Sequence, residues 1–121
     1  MTAEAVLQAL GTIRAPIQTD EYDLHALVAQ ALFAAGLPCA HEVSLGPRCR
    51  IDFTCGSVGI EVKRGKPERA RLLAQLQRYA ACTQLSALVL VSERAVSLPR
   101  QLGGKPLHAL CLNRLWGISL G

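Results

Sequence analysis

The sequence has few aromatic residues, no long apolar run and no recognisable leader. Phe, Tyr and Trp together make up 4% of the chain, so an aromatic platform for stacking successive unpaired bases is not expected. Every apolar run is far shorter than the ~20 residues that cross a bilayer, so no membrane partner is expected. Glu4 lies where a signal peptide has its basic region, and no such peptide is therefore expected.

The cysteines also lack a pattern with a known use. There are five of them, an odd number, with no CxxC spacing and no pair of histidines nearby. Neither a disulfide framework nor a zinc site is therefore expected. Cys55 and Cys111 lie in apolar segments, and we interpret both as small core residues. Together with the missing leader, this use of cysteine predicts a reducing, cytoplasmic location.

The length of the chain limits the number of domains. The 121 residues, half of them hydrophobic, are enough for one domain with a substantial core and too few for two. We predict a single domain over residues 1–121. It comprises an N-terminal helix and linker (1–18), a core (20–92), and a C-terminal loop and strand (93–121).

Apolar periodicity predicts helices at three places. A short one spans residues 2–10. A second follows Asp20, a predicted N-cap, and ends at Gly36, with apolar residues at helical spacing between them. A third is expected to begin near Pro67, a favoured first-turn residue, and to end at about Cys82.

Strands are predicted between these helices and after them. Turn residues divide the middle of the chain into three short segments, which we expect to form antiparallel strands over 41–45, 50–55 and 58–64. The apolar segment 86–92 is typical of a fully buried strand, and a last strand is expected over 107–112. The order predicts a mixed α/β fold.

Basic residues are concentrated in one part of the chain. The net charge is +4, but the segment from Arg48 to Arg78 has eight basic and three acidic residues, a net +5. A local excess of this kind is typical of a surface that binds a polyanion. A solvated charged face is the alternative interpretation.

Within this segment, a predicted hairpin brings two carboxylates together. If Gly56 and Ser57 form a two-residue turn, position 55 pairs with position 58, and Asp52 is opposite Glu61. Directly opposed residues have Cβ atoms ~4.5–5.5 Å apart. Two carboxylates this close repel each other, and a cation between them would relieve the repulsion. Their hard oxygen ligands suit Mg²⁺ or a similar ion.

The alternation of strand residues assigns the neighbours of this pair to faces. Lys63 is expected on the same face as the two acids, where it could stabilise charge on a phosphate or orient a water. Gly59 is expected on that face too, leaving room for a substrate. The opposite face is predicted to carry Ile51, Phe53 and Cys55. An ordinary hairpin with a charged solvent face remains the alternative.

These residues resemble the motifs of a known family, the PD-(D/E)XK nuclease superfamily. R-I-D-F at 50–53 and G-I-E-V-K at 59–63 are similar to its Asp and Glu-x-Lys signature, although Ile51 replaces the usual Pro. Q-L-Q-R-Y at 75–79 resembles the Q-x-x-x-Y motif of RecB-type members, and the small size resembles that of Holliday-junction resolvases. The resemblance covers residues 20–92. It implies a restriction-endonuclease-like αβββαβ core, a mixed central sheet flanked by helices.

The resemblance implies a metal-dependent nuclease that hydrolyses phosphodiester bonds in DNA. The metal, Mg²⁺ with Mn²⁺ as a substitute, would be held by Asp52, Glu61 and the backbone carbonyl of Val62. Lys63 would be the catalytic lysine, and Gln75 would lie against it.

An acidic residue on the first core helix often completes such sites, and the resemblance assigns this place to Glu21. Charge matching at a helix N-terminus is an equally good explanation of Glu21. His25, on the same helix face, and Glu42, on the first strand, are the alternatives. A packed histidine and a solvent-facing glutamate are the ordinary interpretations of those two.

The remaining implied roles concern DNA. Tyr79 is expected near the nucleic acid, and phosphates are expected to contact a set of basic side chains: Arg64, Lys66, Arg69, Arg71 and Arg78. A non-catalytic nucleic-acid-binding or assembly module on the same fold is the alternative function. A homodimer is also expected, with the C-terminal strand and Trp116 as the contact.

Overall fold

The computed structural model describes residues 2–13 and 21–112. In this part of the chain the helices are α1 (Ala3–Leu10), α2 (Glu21–Ala34) and α3 (Arg69–Ala80). The strands are β1 (Ala40–Gly46), β2 (Cys49–Cys55), β3 (Val58–Lys63), β4 (Ala87–Ser92), β5 (Gln101–Leu102) and β6 (Lys105–Cys111). The predicted order of helix, three strands, helix and strand is confirmed, and the fold is a mixed α+β fold.

The strands form one mixed sheet in the order β1-β2-β3-β4-β6-β5. The first three strands are antiparallel, as predicted. Helix α3 then carries the chain across one face of the sheet, so that β4 runs parallel to β3, as a crossover connection requires. Every residue of β4 is buried, which confirms the prediction from its continuous apolar sequence.

Helices cover both faces of the sheet. On one face, α1 and α2 contribute side chains to a core with Phe53 and Val62. On the other, α3 contributes Leu72 and Leu76 to a core with Leu90. The third strand lies between these layers, and for this reason the side chains on both of its faces are shielded from water.

Two predicted helix ends can be compared with the structure. Gly36 ends α2 as predicted, with a φ of 73° and a hydrogen bond from the Leu37 amide to the Leu32 carbonyl. Helix α3 begins at Arg69, near Pro67 as predicted, but Pro67 is not in its first turn. Glu68 has an extended backbone and its carboxylate accepts a hydrogen bond from the Arg71 amide, so Glu68 is the N-cap and Pro67 precedes the helix. The predicted N-cap Asp20 lies outside the described residues.

Strand β5 was not predicted from the sequence. Gly103 and Gly104 both adopt left-handed φ values, 56° and 77°, and turn the chain back so that β5 pairs with the start of β6. The Gly-Gly pair was the available signal for this hairpin. Trp116 and the predicted dimer contact lie outside the described residues. In the ranges that are described, no helix is long and apolar enough to cross a membrane.

The expectation that cysteines form no disulfide is wrong. Cys39 and Cys55 are joined by a disulfide, with their Cα atoms 4.3 Å apart. Ala40 pairs with Thr54 at the end of the β1–β2 ladder. This pairing brings together Cys39, just before β1, and Cys55, the last residue of β2. The odd number of cysteines excludes only a complete pairing, and three of the five remain free. Cys55 is buried as predicted, but Cys111 is only half-buried.

Candidate active site

The β2–β3 hairpin has the predicted register up to the candidate site. Cys55 pairs with Val58, and Phe53 pairs with Ile60. The next pair in this register would be Asp52 with Glu61, but the backbone ladder ends one step before it. The site therefore lies where the two strands part.

At this point the two carboxylates replace the missing backbone acceptors. The Val62 amide donates to Asp52 Oδ2 at 2.8 Å, and the Asp52 amide lies 3.4 Å from Glu61 Oε1. Each acid thus accepts a hydrogen bond from the other strand. The predicted juxtaposition of Asp52 and Glu61 is confirmed, with a connection that the simple alternation of strand residues did not show.

The same interruption changes which residues share a face. Strand β1 pairs with Ile51 and with Phe53 but not with Asp52 between them, and Glu42, opposite, has a φ of 55°. Ile51 therefore packs with α3, whereas Phe53 and Cys55 pack with α1 and α2. The prediction that Ile51 shares a face with Phe53 and Cys55 is wrong, because regular alternation requires an unbroken strand.

Gly59 does not leave space for a substrate, so that prediction is also wrong. A Cβ atom at this position would lie 2.7 Å from Ile51 Cδ1 and 2.9 Å from Leu85 Cδ1. Glycine is required here because side chains from the α3 face of the core pack directly against the strand.

Glu61 is buried, with 3% of its surface exposed. The Tyr79 hydroxyl lies 3.1 Å from its Oε1, and Lys63 Nζ lies 3.3 Å from its Oε2. Burial, followed by the charge of Asp52, raises the pKa of Glu61 to about 7, although Lys63 and Tyr79 oppose this shift. A charged solvent face, the alternative interpretation of the hairpin, is therefore wrong for Glu61.

Tyr79 connects α3 to this carboxylate. Its hydroxyl also lies 2.8 Å from the Arg50 carbonyl, to which it can donate, and accepts from Gln75 Nε2 at 2.9 Å. Burial and the charge of Glu61 raise the pKa of Tyr79. With 2% of its surface exposed, the ring is not available for the predicted contact with nucleic acid. Gln75 was expected against Lys63, but its amide bonds to Tyr79.

Gln75 and Lys63 instead line a common groove beside α3. Its volume is about 330 Å³, and the lining includes Lys63, Gln75, Arg71 and Arg78. Three cationic side chains and one acid, Glu68, thus line an opening beside the Lys63–Glu61 pair. The groove brings together residues that the sequence separates by up to 15 positions.

The three other basic residues predicted to contact phosphates, Arg64, Lys66 and Arg69, do not line this groove. Arg64 and Lys66 are exposed in the loop after β3. Arg69 bonds through Nε to the Ser97 carbonyl at 2.7 Å, which directs it toward the loop before β5. Sequence analysis missed Glu93, a buried acid that accepts a hydrogen bond from the Gly65 amide at 2.6 Å and fixes the loop after β3.

On the opposite side of the hairpin, histidines approach Asp52. His25 Nε2 lies 3.6 Å from Asp52 Oδ2, and His25 Nδ1 lies 3.1 Å from His41 Nε2. The His41 ring stacks on Phe53 with centroids 4.5 Å apart. The structure thus brings His25, a sequence alternative, to the site. His41 was missed, because only the pairing of β1 with β2 places it there.

The other two candidate acids are Glu42 and Glu21, and the structure describes the side chain of Glu42 alone. Glu42 has 58% of its side chain exposed and lies 4.0 Å from His41 Nε2. No contact between Glu42 and Asp52 or Glu61 is found among the described residues. Glu21 is the first residue of α2, but its side chain lies outside the description.

The two hairpin carboxylates have the kind of oxygen ligand that a hard divalent cation prefers. Burial is the main cause of the raised pKa of Glu61, and repulsion from Asp52 adds to it; a cation between the two carboxylates would relieve that repulsion. Mg²⁺ is commonly held by one or two carboxylates and keeps several waters. Within residues 2–13 and 21–112, no group of three or more His, Cys, Asp or Glu side chains is placed to hold a metal. The described residues thus contain the Asp52–Glu61 pair but no larger group of such ligands.

Comparison with known proteins adds no assignment to this geometry. No family model matches the chain, and no curated protein or solved structure matches it either.

Proposed function

We propose that the chain is a metal-dependent nuclease that hydrolyses phosphodiester bonds in DNA. One observation carries the proposal: Asp52 and Glu61 meet where β2 and β3 part, with Lys63 paired to Glu61 at the edge of a basic groove. The element order and this parted hairpin support a restriction-endonuclease-like αβββαβ core.

Each site residue has a role that its position supports. Asp52, Glu61 and the Val62 carbonyl would hold Mg²⁺ or Mn²⁺, which when bound activates water and neutralises charge on a phosphate. Lys63 holds its ammonium group beside Glu61 and facing the groove, where it can stabilise a phosphate oxygen. Tyr79 and Gln75 act as positioning residues, because they reach the site through the Glu61 carboxylate.

The basic side chains supply affinity for the DNA backbone. Arg71 and Arg78 line the groove that leads to Lys63, and Arg64 and Lys66 are exposed at one end of the connecting loop. Contacts of this kind bind phosphates without reading sequence.

The proposal is tested by cleavage of plasmid and linear DNA with Mg²⁺ or Mn²⁺. We expect Asp52→Ala and Lys63→Ala each to lower the rate at least about 100-fold, the usual loss for a group that stabilises developing charge. Glu4→Gln, which removes an exposed acid from α1, is the control and should cleave normally. Cleavage that survives both site substitutions would contradict the assignment.

Metal binding separates this function from the alternative, a non-catalytic nucleic-acid-binding or assembly module. Titration calorimetry should show a divalent cation binding to the wild type and not to Asp52→Ala. DNA affinity without any binding of Mg²⁺ or Mn²⁺ would favour the binding module.

A further inference from the structure

An apolar cavity of about 380 Å³ lies between α2 and β1, on the opposite side of the hairpin from the basic groove. Its walls include the rings of Phe33, His41 and Phe53, together with Leu37 and Pro38. Phe33 is 84% exposed, so the cavity has an aromatic side chain at an open rim. None of its lining residues is Lys, Arg, Asp or Glu.

The cavity adjoins the candidate active site. Phe53, one of its walls, directly follows Asp52 in β2. His41, another wall, lies 3.1 Å from His25, which in turn lies 3.6 Å from Asp52. A chain of contacts through His41 and His25 therefore leads from the wall of the cavity to Asp52.

We propose that this cavity binds one unpaired nucleobase of the DNA strand whose phosphate lies at Asp52 and Glu61. The proposal rests on the proposed nuclease function and specifies its substrate. A lining without charged carboxylates, ammonium groups or guanidinium groups excludes phosphate but suits a flat base, which can stack on the exposed rings of Phe33 and His41. Phe53 is 2% exposed and stacks on His41, so it forms the floor of the cavity and does not itself contact the base. Each nucleotide joins a base to a phosphate through one sugar, so the two groups can occupy neighbouring sites.

This assignment predicts a preference among DNA structures. A base can enter the cavity only when it is unpaired, as in a single strand, an overhang or a mismatch. A paired base would first have to leave its stack, which costs free energy. The few rings here form a pocket for one base, unlike the extended platform that the low aromatic content argues against.

Binding of single strands with and without bases tests the proposal. A labelled thymidine 12-mer is compared by fluorescence anisotropy with a 12-mer of abasic sugar-phosphate units, in EDTA so that neither is cleaved. The two strands carry the same phosphates, so the ratio of their Kd values measures recognition of the base. We expect the wild type to bind the thymidine strand about fivefold to tenfold more tightly.

Two substitutions at exposed positions alter the cavity without touching the core. Ala29→Leu fills it and Phe33→Ala removes one wall; each should bring the ratio below about twofold. Ala34→Leu is the matched control, since Ala34 is exposed on the same helix and does not line the cavity. It should leave the ratio unchanged.

Two results would overturn the proposal. The first is that the wild type binds the thymidine and abasic strands with equal Kd values. The second is a ratio of Kd values that neither cavity variant changes. Light scattering tests whether the cavity is instead an interface between two copies of the chain. A wild-type dimer that becomes a monomer in Phe33→Ala, with an unchanged ratio of Kd values, would show such an interface and would also overturn the proposal. The measurement is independent of catalysis. A base preference in a protein that cleaves no DNA refutes the nuclease alone, and cleavage without a base preference refutes the base pocket alone.

Discussion

Among single residues, Glu61 has the most unusual surroundings. It lies on a strand covered by helices on both faces, next to another carboxylate, and its two oxygens meet Tyr79 and Lys63. Burial and the neighbouring Asp52 disfavour its ionised form. Lys63 and Tyr79 favour that form, but they offset only part of the increase in pKa. A pKa of about 7 follows, and with it a dependence of stability on pH.

In metal-free protein, Glu61 should make the folded state less stable as pH rises. Its pKa is raised from 4.5 to about 7 on folding, so its contribution is complete below pH 4.5 and is lost as pH rises through 7. The loss is on the order of 3 kcal/mol at most. Urea unfolding in EDTA between pH 4.5 and 8.5 should show this slope in the wild type and not in Glu61→Gln. Glu4→Gln, at an exposed position, should retain it; a Glu61→Gln curve parallel to that of the wild type would refute the shift.

Tyr79→Phe should affect both stability and the protonation of Glu61. Loss of the hydroxyl leaves the Gln75 amide without its acceptor, a change that costs about 1–3 kcal/mol. It also removes a hydrogen bond that favours ionised Glu61, so the pKa of Glu61 should rise further. Urea unfolding and carboxyl NMR titration measure the two effects. Gln77→Ala, at an exposed position of the same helix, should change neither; an unaltered Glu61 titration in Tyr79→Phe would contradict the role given to the hydroxyl.

Elements with a continuous pattern of apolar residues could be predicted from the sequence. Predictions were wrong where the structure interrupts that pattern. The helical spacing of Leu24, Val28 and Leu32 identified the buried face of α2, because one face of one helix determines all three positions. The turn at 56–57 fixed the hairpin register, and with it the Asp52–Glu61 pair.

The failures have a common physical origin in contacts between elements. Regular alternation could not show that β2 changes face at Asp52, because the interruption involves β1 and β3 together. The need for glycine at position 59 arises from Leu85, distant in sequence. The approach of His41 to His25 likewise depends on the tertiary fold.

The disulfide gives a prediction at the scale of elements, since it joins the segment before β1 to the end of β2. It closes a loop of 16 residues, and cross-links of this length stabilise folded proteins by about 3 kcal/mol. Urea unfolding should show a loss of this size with a reductant. Cys39→Ser should show the same loss and no further response to the reductant. Alkylation under denaturing, non-reducing conditions should modify three thiols in the wild type, and modification of five would contradict the disulfide.

For the whole molecule, the basic groove should determine how DNA binding responds to salt. Each phosphate neutralised in duplex DNA contributes about 0.9 to the slope of log K against log salt. Replacing both Arg71 and Arg78 by Ala should therefore reduce the slope by about 2, as measured by anisotropy between 50 and 200 mM salt. Arg100→Ala, an exposed position outside the groove, should leave it unchanged. An equal change in both proteins would show that the groove is not the path of the DNA.

The parting of β2 and β3 also has a mechanical consequence. Asp52 is held from the α2 side through His25, and Glu61 is held from the α3 side through Tyr79. The two acids are therefore attached to opposite layers of the molecule, and the gap between them depends on how those layers sit against the sheet. A substitution in the core that moves one helical layer relative to the other would therefore change the separation of Asp52 and Glu61.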